Sequence, residues 1–153
     1  MQTNQKTSKM KILKATIRNL ADIGKLMKDE FSKPPFNEKD TMSAILKSLN
    51  FYFKIGKIYV AVINKEIGGV LVFKIEQYWE GPVIIIEDLA VKEKFKKQGI
   101  GKGLMKFIEK YSRNKKIKSI LFSTHKKSKA IKFYEKLGYK LEKDRISMRK
   151  NLK

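Results

Sequence analysis

The first third of the chain carries two helical patterns. Apolar residues recur at steps of three and four over residues 17–31, which predicts an amphipathic helix after a short strand at residues 11–15. Ser32-Lys33-Pro34-Pro35 ends this helix, because proline disfavours helical geometry in the residue before it. A second apolar stripe predicts a helix over residues 38–49. We expect both stripes to face the core.

From residue 57 the apolar pattern becomes that of β-strands. Residues 58–63 and 67–77 flank the turn Asn64-Lys65-Glu66, which predicts a hairpin. Residues 83–91 follow the turn Glu80-Gly81-Pro82 and are apolar on both faces at their start, as in a central strand.

The last third alternates helices and strands. We predict helices over residues 101–111 and 128–137, a strand at residues 119–123 between them, and a closing hairpin of residues 139–142 and 146–149. The order β-α-α-β-β-β-α-β-α-β-β predicts an α+β fold, with about seven strands in one mixed sheet and four helices. We expect a single domain at residues 10–153 after a flexible tail at residues 1–9.

Composition narrows the classes of function. The 153 residues include no cysteine and one histidine, His125, so we expect neither a disulfide nor a metal site. The first ten residues lack the apolar segment of a signal peptide, and no apolar run is long enough to span a bilayer. We therefore expect a cytoplasmic protein with no membrane partner.

Positive charge is concentrated in the second part of the chain. Residues 92–153 contain 22 basic and 5 acidic side chains, a net charge of +17, whereas residues 1–91 contain 14 and 10, a net of +4. Such a surface either keeps the protein soluble or binds a polyanion, and the charge alone leaves both readings open.

A glycine-rich turn, Gln98 to Gly103, lies between a predicted strand and a predicted helix, where backbone N–H groups can bind phosphate. It is not a P-loop, because Gly103 replaces the Ser/Thr and Lys96 stands at the position of the first glycine. It is not a dinucleotide fingerprint either, because Leu104 replaces the third glycine. A turn that binds nothing remains an alternative.

Two longer blocks resemble the GNAT superfamily of acetyl-CoA-dependent N-acetyltransferases. The first, [QR]-x-x-G-x-[GA], corresponds to residues 96–101 after the strand end Leu89-Ala90-Val91. The second, A-x-x-x-Y-x-x-x-G-[FY], runs from Ala130 through Tyr134 to Tyr139. The chain departs from the family at Lys96, where Gln or Arg is usual, and at Lys127, where Asn is frequent.

The resemblance implies acetyl-CoA as co-substrate. It places the pyrophosphate on the glycine turn, with lysines around it, and the pantetheine arm along the backbone of the preceding strand. The implied cofactor-binding residues are Leu89, Ala90, Val91, Lys96, Lys97, Gln98, Gly99, Ile100, Gly101, Lys102, Lys127, Lys129 and Tyr134.

The resemblance also implies the acid and the base. Tyr134 matches the family tyrosine that protonates the departing thiolate, although it could instead be a core aromatic residue. Glu87 is our first choice of base and Asp88 the alternative; strand alternation predicts that they point to opposite faces. A Glu-Asp pair before L-x-V resembles the polyamine and streptothricin acetyltransferases. We expect Glu87, Asp88, Glu30 and Trp79 to bind the acceptor.

The predicted function is therefore transfer of an acetyl group to a primary amine, which is a polyamine, another small-molecule amine or a protein amine. Two alternatives stay open: a basic nucleic-acid-binding module, which lacks a recognised motif here, and a GNAT-like protein that binds CoA without catalysis. We do not expect a nucleic-acid partner. Family members are often dimers, so the resemblance leaves a homodimer open.

Overall fold

A computed structural model describes residues 9–152 of the chain. The chain divides into two compact units, Met1–Ser123 and Thr124–Lys153. The predicted flexible tail at residues 1–9 falls, except for Lys9, outside the described residues.

The first unit is a sheet with helices on both of its faces. The strands lie in the order β1-β2-β3-β4-β5; the first four are antiparallel, and β5 runs parallel to β4. Its elements are β1 (Lys11–Lys14), α1 (Leu20–Phe31), α2 (Met42–Ile55), β2 (Lys57–Ile63), β3 (Glu66–Tyr78), β4 (Gly81–Val91), α3 (Ile100–Asn114) and β5 (Ser119–Phe122).

Strand alternation gives each face of the sheet its own core. Ile58, Val60, Val70 and Val72 project from β2 and β3 into a cluster with buried residues of α1 and α2. On the opposite face, the Phe73 ring packs against the Tyr59 and Tyr111 rings, with centroids 5.9 and 5.2 Å apart.

Helix α3 lies close to the sheet because β3 carries a glycine beneath it. A Cβ added to Gly69 would lie 2.8 Å from Ile100 Cγ2, which is closer than Cβ atoms pack, and 3.1 Å from Leu104 Cδ1, which is tight. Ile100 and Leu104 are themselves buried in the first turns of α3. This contact fixes the start of α3, and with it the glycine turn that precedes the helix.

The second unit contains α4 (Ala130–Lys136). The helix is followed by Leu137 and then by Gly138, whose φ of 91° is the left-handed conformation expected after a helix end. Among residues 9–152 no helix is long and apolar enough to cross a membrane.

The prediction of about seven strands is wrong for the described residues, which form five. Residues 139–142 and 146–149, predicted as a closing hairpin, form no strand. Their alternating apolar side chains, including Leu141, Ile146 and Met148, are exposed. A two-stranded hairpin this short is marginal by itself, so the alternation in the sequence becomes a strand only where a partner edge pairs with it.

Candidate active site

Strand β4 loses its neighbour β5 halfway along its length. The parallel pairing runs from Val83 with Ser119 to Ile86 with Phe122 and stops there. β4 continues to Val91, and its last residues pair with β3 alone. Within the described residues, the edge of β4 at Leu89, Ala90 and Val91 is therefore open on the side away from β3. An open strand edge can accept an extended ligand by backbone hydrogen bonds.

A β-bulge lies where the two strands separate. Val72 pairs with Asp88 and Phe73 pairs with Ile86, so Glu87 is the extra residue of the bulge and has no partner on β3. Simple alternation predicted that Glu87 and Asp88 face opposite sides of the sheet. The bulge overturns this, because both carboxylates lie on the side of the sheet covered by α2.

Glu87 has two polar neighbours. Its Oε1 lies 3.0 Å from Lys74 Nζ, which is also 2.8 Å from Glu76 Oε1. The hydroxyl of Tyr52 in α2 is near Glu87: burial, followed by the charge of Glu87, raises the pKa of this hydroxyl. The hydrogen bond to Glu76, followed by that to Glu87, raises the pKa of the Lys74 ammonium, so this lysine stays charged beside Glu87.

Asp88 faces a cavity of about 230 Å³ between α1, α2 and β4. Burial, followed by the charges of Glu87 and Glu38, raises the pKa of the Asp88 carboxyl to about 6. Among residues 9–152, no basic side chain forms an ion pair with Asp88. The cavity is lined by Met27, Lys28, Phe31, Glu38, Asp40, Ala44, Ile45, Ser48 and Asp88.

The glycine turn has an unusual backbone that leaves its N–H groups open. Lys97 and Gly99 have φ angles of 60° and 81°, and apart from the two chain neighbours no heavy atom of the described residues lies within 4 Å of a Cβ built on Gly99. Within the described residues, the first N–H of α3 that donates to a backbone carbonyl is that of Gly103, to Gly99 O at 2.9 Å. The N–H groups of Ile100, Gly101 and Lys102 are thus free for an anion at the positive end of the helix dipole.

A cluster of ion pairs connects the residues just before this turn to the end of α1. Lys96 Nζ contacts Glu30 Oε2 and lies 2.8 Å from Glu93 Oε2, while Lys33 lies 2.9 Å from an oxygen of each acid. Burial acts to lower the pKa of Lys96, but the hydrogen bonds to Glu30 and Glu93 outweigh it and raise that pKa. Glu30, predicted to bind the acceptor, is therefore paired with lysines beside the glycine turn.

We expect the Glu30→Gln variant to be measurably less stable, by about 1 to 2 kcal/mol in free energy of unfolding. The Glu30 side chain is only 9% exposed, and its loss leaves both lysines with one acid between them. Urea unfolding measures the change. Glu93→Gln is the matched control, because its side chain is 68% exposed and exposed pairs contribute little. Equal losses of unfolding free energy in the two variants would show that Glu30 contributes no more to stability than the exposed Glu93.

Trp79 lies far from the two carboxylates. It occupies the turn between β3 and β4 and is fully exposed. Asp88 lies seven steps along β4 from Gly81, a distance of roughly 23 Å along the strand. The structure therefore does not bring Trp79 to the cavity.

Three predicted site residues belong to the second unit. Tyr134 lies in α4, with its ring 5.1 Å from that of Phe133, and burial raises the pKa of its hydroxyl to about 12. Lys127 and Lys129 are exposed just before α4, and the Lys127 N–H donates to His125 Nδ1.

Sequence reasoning missed four polar residues at this site. Lys74 pairs with Glu87, the Tyr52 hydroxyl is near it, and Glu38 and Asp40 line the cavity beside Asp88. The sequence pattern placed Glu38 and Asp40 in the helix predicted over residues 38–49, but α2 begins at Met42, so both residues lie in the segment before it. The partners of Glu87 come from β3 and α2, which no local pattern connects.

The family model described as the Acetyltransferase (GNAT) family matches residues 21–139, and the chain belongs to this family. A search of curated proteins finds no match.

Solved structures share the fold at low sequence identity. A possible acetyltransferase from Clostridium difficile 630 has a TM-score of 0.84 and 16% identity, over 94% of this chain and 99% of that one. The aminoglycoside N-acetyltransferase AAC(6')-Iy in complex with CoA has a TM-score of 0.81 and 18% identity, over 97% and 99%. The aminoglycoside acetyltransferase meta-AAC0020 from an uncultured soil metagenomic sample, in complex with sisomicin, has a TM-score of 0.73 and 23% identity, over 94% and 97%.

Proposed function

We propose that this protein transfers an acetyl group from acetyl-CoA to a primary amine. The observation that carries the proposal is the arrangement along β4: within residues 9–152, a carboxylate without an ion pair at Asp88 is followed by an open strand edge and then by a glycine turn with free N–H groups. One strand and its turn thus offer a site for the amine, for an extended arm and for phosphate, in that order.

The residues of the first unit fit CoA. The free N–H groups of Ile100, Gly101 and Lys102 suit the pyrophosphate, and Gly99 leaves room for close approach. The open edge at Leu89 and Val91 suits the amide groups of the pantetheine arm. When bound, acetyl-CoA supplies the acetyl group as a reactive thioester.

The proposed base is Asp88. The sequence had favoured Glu87 and offered Asp88 as the alternative. An alkylamine has a pKa of roughly 10.4, so it arrives as an ammonium and must lose a proton before it reacts. The Asp88 carboxylate lacks an ion-pair partner among the described residues, and its pKa of about 6 lies nearer to neutrality than that of an ordinary aspartate. Glu87 is already paired with Lys74, so it suits a role in orienting the amine more than a role as the base.

Tyr134→Phe is expected to lower kcat by about 10- to 100-fold with little change in KM for acetyl-CoA. The Tyr134 hydroxyl, whose pKa of about 12 keeps it protonated at assay pH, is the proposed donor of a proton to the departing sulfur. Steady-state kinetics measures the change. Tyr139→Phe, which removes the hydroxyl of a neighbouring ring 6.3 Å away, is the control and should retain full activity.

Two measurements test the proposal as a whole. Acetyl-CoA at millimolar concentration should raise the melting temperature, and the protein should consume acetyl-CoA when primary amines are supplied. Stabilisation without transfer to any amine would indicate a CoA-binding protein without catalysis. Absence of stabilisation, together with salt-sensitive binding of DNA or RNA at physiological salt, would instead favour the nucleic-acid module that the net charge leaves open.

A further inference from the structure

The cavity at Asp88 has more negative than positive charge. Three carboxylates line it: Asp88 from β4, and Glu38 and Asp40 from the segment between α1 and α2. Lys28 of α1 is the one basic residue of the lining, and it forms no ion pair with these three carboxylates. With all groups ionised, the lining has a net charge of −2.

The carboxylates are close enough to affect one another. The charge of Glu38 acts to raise the pKa of Asp88, and the charge of Asp40, after burial, acts to raise that of Glu38. Among residues 9–152 no three acidic or histidine side chains are arranged to hold a metal ion. An organic cation therefore suits this lining better than a metal.

The size of the cavity limits the acceptor. The cavity has a volume of about 230 Å³. Pockets for drug-sized ligands are larger, at about 300–1,000 Å³. Met27, Phe31 and Ile45 give the cavity apolar walls that fit a short methylene chain. The larger groove outside α2, about 720 Å³, is lined by Lys47 and Lys54 and by no acid, so it does not suit an amine.

We propose that the acceptor is a short aliphatic diamine or polyamine, and that Glu38 determines this specificity by binding the ammonium group that does not react. The reacting nitrogen lies at Asp88, deeper in the cavity, while Glu38 and Asp40 hold the distal ammonium at the exposed mouth. This inference rests on the proposed function, because it names the substrate class of that site.

Paired acceptors of equal chain length test this inference. For the wild-type protein, kcat/KM for 1,4-diaminobutane should exceed that for butylamine by about 100-fold, since the two differ only in the distal ammonium. Spermidine should be accepted, and sisomicin, which is much larger than the cavity, should be a poor acceptor.

The Glu38→Gln variant tests whether Glu38 causes the preference for 1,4-diaminobutane over butylamine. It should raise KM for 1,4-diaminobutane about tenfold, whereas KM for butylamine, which has no second ammonium group, should change much less. Asp22→Asn, which removes an exposed carboxylate of α1 outside the cavity, is the matched control and should change neither substrate. Melting temperatures of both variants check that the fold is intact.

The outcomes separate this inference from the proposed function. Equal use of butylamine and 1,4-diaminobutane, or an equal effect of Glu38→Gln on both, would overturn the diamine assignment while acetyl transfer stands. A preference for sisomicin over the diamines would do the same. If no amine at all is acetylated, the proposed function fails first and the acceptor assignment fails with it.

Discussion

Asp88→Asn is expected to lower kcat/KM for an amine acceptor by about 100-fold at pH 7.5 and, in the same variant, to raise the melting temperature. A side-chain amide cannot take the ammonium proton, and general base catalysis typically contributes 10²- to 10⁴-fold. In the wild-type protein kcat/KM should fall as pH decreases through about 6, the pKa of Asp88. The variant should not show this fall.

The gain in stability follows from the same pKa. A carboxyl whose pKa is higher in the folded than in the unfolded chain binds its proton more tightly when folded, so the free energy of unfolding falls as pH rises from about 4 to about 6. Above pH 6 the ionised Asp88 destabilises the fold by up to about 3 kcal/mol. Asparagine carries no charge, and the expected gain in melting temperature is on the order of 5 °C.

Glu87→Gln is the comparison that separates the two carboxylates. Because Glu87 is already paired with Lys74, the Glu87→Gln change should reduce kcat/KM by less than tenfold, and the fall in kcat/KM below about pH 6 should remain. Thermal unfolding at pH 4 and pH 7.5 completes the experiment, since the gain from Asp88→Asn should disappear at the lower pH. If Glu87→Gln lost more activity than Asp88→Asn, and if it no longer showed the fall in kcat/KM at acidic pH, Glu87 would be the base.

Gly99→Ala is expected to weaken CoA binding by about 10- to 100-fold. The added Cβ points into the open space where a phosphate would approach, and it would displace the anion from the neighbouring N–H groups. Hydrogen bonds to charged groups contribute about 1.5–3 kcal/mol, and 1.4 kcal/mol is a factor of ten in affinity. Calorimetric titration with CoA measures the change.

The control for Gly99→Ala must carry the same backbone strain. Gly81, the first residue of β4, also has a positive φ, 123°, and open space around a built Cβ. Both alanine variants should therefore lose stability, on the order of 1–3 kcal/mol, but only Gly99→Ala should lose affinity. If Gly81→Ala weakened CoA binding as much, strain rather than access to the turn would explain the result.

Local patterns in the sequence predicted most of the elements of the first unit. The period of 3.6 residues indicated α1 and α3, the β-branched runs indicated β2, β3 and β4, and the glycines indicated a phosphate-binding turn. These features are local because backbone sterics and the alternation of buried and exposed positions act over a few residues. The two GNAT blocks identified the family, which the match over residues 21–139 confirmed.

Only the tertiary structure decided which polar groups meet. The bulge at Glu87 arises from the register between β3 and β4, and it moved two adjacent carboxylates to one side of the sheet. Glu30 and Lys96 are 66 residues apart, and no periodicity predicts their ion pair. Glu38 reaches the cavity of Asp88 because α1 and α2 pack beside β4. The sequence thus determined the family and the elements, while register and helix packing, which depend on contacts between distant segments, decided the charge of the site.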